Sequence, residues 1–239
     1  MTGAVLALAL PLYCRSAEAP TEVMAGMSGQ PMGALMGMDD AAPVGKVMLD
    51  QLELAGGSGS TTLAWDAQAW YGGDYDKLWI KTEGSPNSSD QIASRNELLW
   101  DRVLTRWWDL QTGLRYDLGH GPARGWWAVG VEGLAPYWFE VQAALYLGES
   151  GHSAAHFQIE HDLLITRRLI VQPEIEADLY GRNDAAREVR SGLSDMQIGL
   201  RMRYEIRREF APYVGIDWRR TLSPESDSVQ WIAGFHVWF

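Results

Sequence analysis

The sequence predicts an all-β protein: a 12-stranded antiparallel transmembrane β-barrel over residues 46–239, preceded by a disordered Met-rich N-terminal tail. Three observations lead there. The last eleven residues, Val229 to Phe239, alternate: Val229, Trp231, Ala233, Phe235, Val237 and Phe239 share one strand face, and Gln230, Gly234 and His236 lie on the other. Twelve segments of similar length follow one another from Lys46 onward, separated by turn residues. The gaps between them alternate in length, as do the loops and turns at the two ends of a bacterial membrane barrel.

Residues 4–13 form an apolar run of ten, followed by the small-x-small pattern Ala17-Glu18-Ala19. Residues 1–19 therefore read as a secretory signal. The positively charged start of such signals is missing, and Pro20 disfavours cleavage directly after Ala19. The single cysteine, Cys14, excludes a disulfide framework within the chain, and Leu12-Tyr13 before it lacks the small residue of a lipoprotein signal.

Residues 20–45 are rich in Gly, Ala, Pro and Met, show no periodic apolar face and contain no Lys or Arg. Five of the nine methionines, Met24, Met27, Met32, Met36 and Met38, fall within fifteen residues. Nothing around them could form a core. Thioethers are soft ligands that select Cu(I) or Ag(I), and a flexible tail can gather three or four of them around one ion. The same composition also suits a linker in which methionine is incidental.

The twelve strands are read as 46–55, 60–71, 75–83, 93–104, 107–118, 125–134, 136–148, 152–165, 169–182, 192–207, 211–222 and 228–239. Most approach or exceed the ~10 residues of a tilted membrane strand. In 136–148, Tyr137, Phe139, Val141, Ala143, Leu145 and Leu147 oppose Glu140 and Gln142; in 169–182, Leu169, Val171, Ile175, Ala177 and Leu179 oppose Gln172, Glu174, Glu176 and Asp178. The even-numbered gaps are expected to hold no more than three residues, and the odd ones are longer on the whole. An even strand count puts both chain ends on the short-turn, periplasmic side. No apolar run reaches the ~20 residues of a membrane helix. Twelve tryptophans suit the aromatic girdles of a barrel, and the net charge of −11 argues against nucleic acid while suiting cations.

With apolar faces outward, the lumen receives Asp66, Gln68, Lys81, Glu83, Arg115, Asp117, Glu132, Glu140, Glu160, Asp162, Glu174, Glu176, Asp178, Arg201, Arg203, Glu205, Arg207 and Arg219. Charges cannot sit in hydrocarbon, so in a narrow barrel they should pair across the lumen and plug it. A cation path among the acids is the functional alternative, with Asp66, Glu83, Asp117, Glu132, Glu140, Glu160 and His236 as candidate lumenal ligands. His152, His156 and Glu160 share a face at spacing four, but ~13 Å separates successive members along a strand, so a chelate there needs a neighbouring strand. No Gly-x-Ser-x-Gly elbow, P-loop or His-Glu-x-x-His occurs, and no enzymatic activity is expected.

Several stretches resemble one bacterial family. Trp65-Asp66-Ala67-Gln68-Ala69-Trp70-Tyr71-Gly72-Gly73-Asp74-Tyr75-Asp76-Lys77-Leu78-Trp79 resembles the opening of the copper resistance protein B family. Arg115-Tyr116-Asp117, Gly133-Leu134-Ala135-Pro136-Tyr137-Trp138-Phe139-Glu140, Gly192-Leu193-Ser194-Asp195 and the run from Arg203 to Tyr213 are similar to it as well. The terminal Phe239, with aromatics at alternate positions, resembles the assembly signal of outer-membrane barrels. The resemblance covers about residues 46–239. It implies an outer-membrane barrel that moves or sequesters copper, a Met- and His-rich N-terminal region, and periplasmic copper carriers as partners. The tail here is short and has no histidine, which favours Cu(I) over Cu(II) as its ion. A structural or general diffusion barrel, and a soluble β-barrel binder, are the competing expectations.

Overall fold

The computed structural model describes residues 42–57, 61–86, 92–119, 121–187, 189–222 and 225–239. The proposed signal at 1–19, nearly all of the tail and its five methionines (Met24, Met27, Met32, Met36 and Met38) lie outside the described residues. So does His120.

Twelve strands form one closed antiparallel sheet: β1 (Val44–Gly56), β2 (Thr61–Gly72), β3 (Asp76–Pro86), β4 (Ile92–Val103), β5 (Trp108–Leu118), β6 (Arg124–Ala135), β7 (Phe139–Gly148), β8 (Ser153–His161), β9 (Leu169–Tyr180), β10 (Gly192–Tyr204), β11 (Phe210–Leu222) and β12 (Glu225–Trp238). Each pairs with its sequence neighbours. After a break at Asp162, Leu163–Leu164 continues the β8 ladder against β9, with Leu164 opposite Ile170. The β1–β12 ladder closes the ring, with Met48 opposite Trp238 and Gly56 opposite Trp231. Phe239 extends that closure: its N–H donates to Val47 O at 2.9 Å, and its carbonyl accepts from Val47 N at 3.1 Å. Closure leaves no unpaired edge, which the hydrocarbon would penalise.

The barrel is packed inside out. Among the described residues the buried set holds twelve polar or charged side chains against ten apolar ones, whereas Leu145, Leu147, Val214, Leu200 and Ile80 face outward and exposed. This is a membrane-type barrel, apolar toward lipid and polar toward the lumen. Exposed aromatics collect at both ends: Tyr75, Trp107, Tyr137 and Trp138 beside the short turns, and Tyr116, Trp127 and Trp231 toward the opposite rim. Trp107 and Trp138 meet edge to face with centroids 6.1 Å apart.

Three expectations change in detail. The seventh strand begins at Phe139, because Pro136–Trp138 forms a 3-10 turn with Tyr137 and Trp138 at positive φ (67° and 66°); Tyr137 therefore leaves the strand face assigned to it. Glu205 and Arg207 are not lumenal strand residues. β10 ends at Tyr204, and the chain turns there, with Arg207 bridging to Phe210. The length contrast between gaps is weaker than expected: Leu104 to Trp107 make four residues and Glu205 to Glu209 five, while Ser223–Pro224 alone joins β11 to β12. Ladder hydrogen bonds persist past the lipid-facing zone, so polar stretches such as Glu225-Ser226-Asp227, which read as loop, are paired strand.

Candidate functional site

The lumen holds two cavities, of about 700 and 370 Å³. The larger lies toward the short-turn end, bordered by Arg106, Trp107, Leu134 and Asp162. The smaller lies toward the other rim, bordered by Ser85, Leu118, Arg187 and Thr221. Gln51, Asp66, Glu83, Arg95 and Gln158 border both and form the partition between them.

Six of the seven candidate ligands in the lumen come together on the larger cavity: Asp66, Glu83, Glu132, Glu140, Glu160 and His236. Their alternation on β2, β3, β6, β7, β8 and β12 points each of them inward. Glu140 and Glu160 stand directly opposite in the β7–β8 ladder. Glu160 accepts a hydrogen bond from Gln172 Nε2 at 3.0 Å. Asp162, a third acid on the cavity, pairs with Arg203 at 2.8 Å. Glu132 is bound by Lys81 Nζ at 2.6 Å and by Gln111 Nε2 at 2.9 Å. His236 Nδ1 lies 3.3 Å from the Asp50 carbonyl and 3.5 Å from its carboxylate.

Asp117 stands apart, on the smaller cavity. Arg115 donates to both of its oxygens, at 2.7 and 3.0 Å, and Trp126 Nε1 adds a third bond at 3.0 Å. The Arg115 guanidinium also lies 4.3 Å from the Tyr146 ring centroid. A carboxylate so fully bonded is a clamp between β5 and β6 rather than an open ligand.

Two ionic layers close the partition. In one, Arg95 on β4 reaches across the lumen to Asp178 on β9, at 3.0 and 3.1 Å, and pairs with Glu83 at 3.2 Å. In the other, Arg201 binds Glu174, lies 3.5 Å from Glu53, and donates to Gln51 Oε1 at 3.1 Å. Arg201 borders the larger cavity, and Glu53 and Glu174 border the smaller. The expected ion pairs across the lumen are thus present.

Arg95, Glu97, Asp50 and Glu53 are absent from the sequence-read lumen set. Arg95, Glu97 and Asp101 alternate on β4, a signal that polar Ser94 and Asn96 on the opposite face conceal. On β1 the register shifts against β2 between Leu49 and Gln51, so the face that reaches the lumen changes parity after Asp50, and counting by twos fails.

Comparison with known proteins agrees with this architecture. The model of the family described as "Copper resistance protein B precursor (CopB)" matches residues 43–239. The chain belongs to the copper resistance protein B family. It is 39% identical over 203 residues to copper resistance protein B of Escherichia coli, spanning 81% of this chain and 69% of that protein. It is 35% identical over 210 residues to a copper resistance protein B homolog of Pseudomonas syringae pv. tomato (strain ATCC BAA-871 / DC3000), spanning 84% and 71%. Among solved structures the NanC porin superposes with a TM-score of 0.53 at 11% identity, covering 81% of this chain and 99% of the porin. That likeness concerns the fold. Within the family match, the Arg115-Tyr116-Asp117 motif is the buried clamp just described. The stretch from Gly133 to Glu140 carries the chain around the Pro136–Trp138 turn into the larger cavity.

Proposed function

We propose that this protein is an outer-membrane copper resistance barrel with both termini in the periplasm, which binds copper and sequesters or exports it without enzymatic chemistry. The observation that carries the reading is the larger cavity, where nine carboxylates and two imidazoles, among them six of the candidate ligands, converge at the short-turn end. Family membership supports copper as the cargo. The outward apolar face and aromatic ends support residence in a lipid bilayer.

In this reading the tail captures Cu(I). Met24, Met27, Met32, Met36 and Met38 offer thioethers suited to Cu(I), and periplasmic copper carriers would load them. Oxygen and imidazole donors in the lumen suit Cu(II) better, so the lumen would take ions that arrive there as Cu(II), with no change of oxidation state between tail and lumen. The net charge of −11 supports cation attraction and opposes nucleic-acid binding.

The test is a Cu(I) competition titration of the detergent-solubilised protein with and without residues 20–45. Loss of tight binding on truncation is the expected result. Unchanged binding would move capture into the barrel, and absence of binding in both forms would leave a structural or diffusion barrel.

A further inference from the structure

The cluster on the partition has a feature that the plug does not explain. His156, Glu176 and Asp178 lie on the adjacent strands β8 and β9, with His156 opposite Asp178 in the ladder. One donor atom from each lies within 4.8 Å of the others. His156 is only 5% exposed. Its Nδ1 sits 3.2 Å from Arg95 Nη1 and 3.1 Å from Asp178 Oδ1. An imidazole nitrogen can satisfy one of these neighbours at a time. Unprotonated, it accepts from the guanidinium and faces the carboxylate lone pair to lone pair; protonated, it donates to the carboxylate and faces the guanidinium proton to proton. A metal cation in place of the guanidinium would satisfy the imidazole and the carboxylate together.

Charge points the same way. Among the described residues Arg95 is the one arginine or lysine that contacts Glu83 and Asp178, and Glu176 lies 3.8 Å from His156 Nδ1 with no hydrogen bond. Two carboxylates therefore share one guanidinium, and the third, Glu176, has only the His156 imidazole within ion-pair distance among the described residues. Among the described residues His156 Nε2 takes no hydrogen bond, and the ring borders the larger cavity while Glu176 and Asp178 border the smaller.

We infer that His156, Glu176 and Asp178 form a divalent-cation site in the partition, with Arg95 as the resident cation that a metal ion displaces. The donor set of one imidazole nitrogen and carboxylate oxygens, without sulfur, fits a first-row divalent ion, and Cu(II) binds such sets most tightly. The site deepens the lumenal part of the proposed function and rests on it for the choice of copper as cargo; the cation site itself rests on geometry alone. Displacing Arg95 from Asp178 would also loosen the partition, because Arg95 borders both cavities.

The test is a Cu(II) titration of the full chain in detergent micelles, read by electron paramagnetic resonance. The expected result is a site with coupling to a single nitrogen, lost in His156→Ala. Glu176→Gln is the milder variant, since Glu176 makes no hydrogen bond among the described residues; as a direct ligand it should weaken Cu(II) by at least the roughly 10–100-fold that loss of a group merely supporting a metal ligand costs. Arg95→Gln should instead tighten Cu(II) by about tenfold or more, because a unit positive charge leaves the ligand shell. A purely structural Arg95 would give no such gain. Heat-shifted gel migration verifies the fold of each variant. The inference is overturned if wild-type protein shows no nitrogen-coupled Cu(II), if His156→Ala and Glu176→Gln both keep wild-type affinity, or if Arg95→Gln binds no tighter. Normal copper tolerance in cells carrying a variant that has lost the site would overturn the lumenal copper function while leaving the cation site intact.

Discussion

Removing the Arg201 guanidinium tests whether the ionic layers hold the barrel together. The Arg201 side chain is 2% exposed, and its carboxylate neighbours Glu174 and Glu53 are 3% and 7% exposed. Arg201→Met keeps most of the side-chain volume and deletes the charge, leaving two buried acids facing each other without it. Deleting one partner of a buried pair costs about 3–5 kcal/mol. The lower end applies here, because each acid retains neutral donors: Tyr213 O–H donates to Glu53 at 3.1 Å, and Gln158 Nε2 to Glu174 at 3.1 Å. The expected loss is therefore about 3 kcal/mol. Urea unfolding in micelles, followed by tryptophan fluorescence, measures it. Adding Glu174→Met should recover more than half of that loss, since a well-packed apolar replacement of a buried ion pair is close to neutral. A single variant within about 1 kcal/mol of wild type, or a double variant no better than the single, would refute the reasoning.

Other outcomes follow from the same geometry. Replacing Met24, Met27, Met32, Met36 and Met38 together by Leu should lower cellular copper tolerance while leaving the heat-shifted gel migration of the barrel unchanged. Glu140→Gln should raise the metal-free unfolding free energy by about 0.5 kcal/mol, because it relieves the like-charge pair with Glu160 across the β7–β8 ladder; urea titration reads the shift in midpoint. Gly113→Ala should impair folding, since an added Cβ would sit 2.0 Å from the Leu98 carbonyl oxygen of the paired β4 strand, and the yield of folded protein from refolding into micelles measures the effect. Planar-bilayer recordings of Arg95→Ala paired with Arg201→Ala should show higher cation conductance than wild type, because both ionic layers of the partition are then open.

The fold was largely legible because a membrane barrel writes its two faces in period two. Leu145 and Leu147 against Gln142, or Ile175 and Leu179 against Glu174 and Asp178, reveal which residues meet lipid, and the observed ends of most strands lie within two or three residues of those read from turn chemistry. Legibility fails where the period breaks. The shift on β1 puts Asp50 and Gln51, adjacent in sequence, on the same cavity. The turn at Pro136 removes Tyr137 from its strand. Partners across the lumen are a different kind of loss: Arg95 and Asp178 are 83 residues apart, and only the closed ring, with its curvature and stagger, decides that they touch. Spacing along β8 predicts that His156 needs ligands from a neighbouring strand, and the β8–β9 register supplies them, but the register itself is not written in either strand alone.

An ionic plug has a consequence that an apolar plug lacks. Leu or Phe side chains in the lumen would exclude a metal ion outright, because nothing could replace its water. Guanidinium–carboxylate layers exclude it conditionally. Glu83, Glu174 and Asp178 are already ligands, each engaged by an arginine. A divalent ion entering from the larger cavity competes for those oxygens, and a guanidinium it displaces keeps its charge and needs a new acceptor. Gln51, Asp66 and Gln158, which border both cavities beside Arg95, offer such acceptors. On the proposed cation site, opening of the partition would be coupled to occupancy by a cation. The barrel would then stay closed to solutes that cannot bind carboxylates, and its response to copper would rise with the free ion concentration rather than with its electrochemical gradient alone.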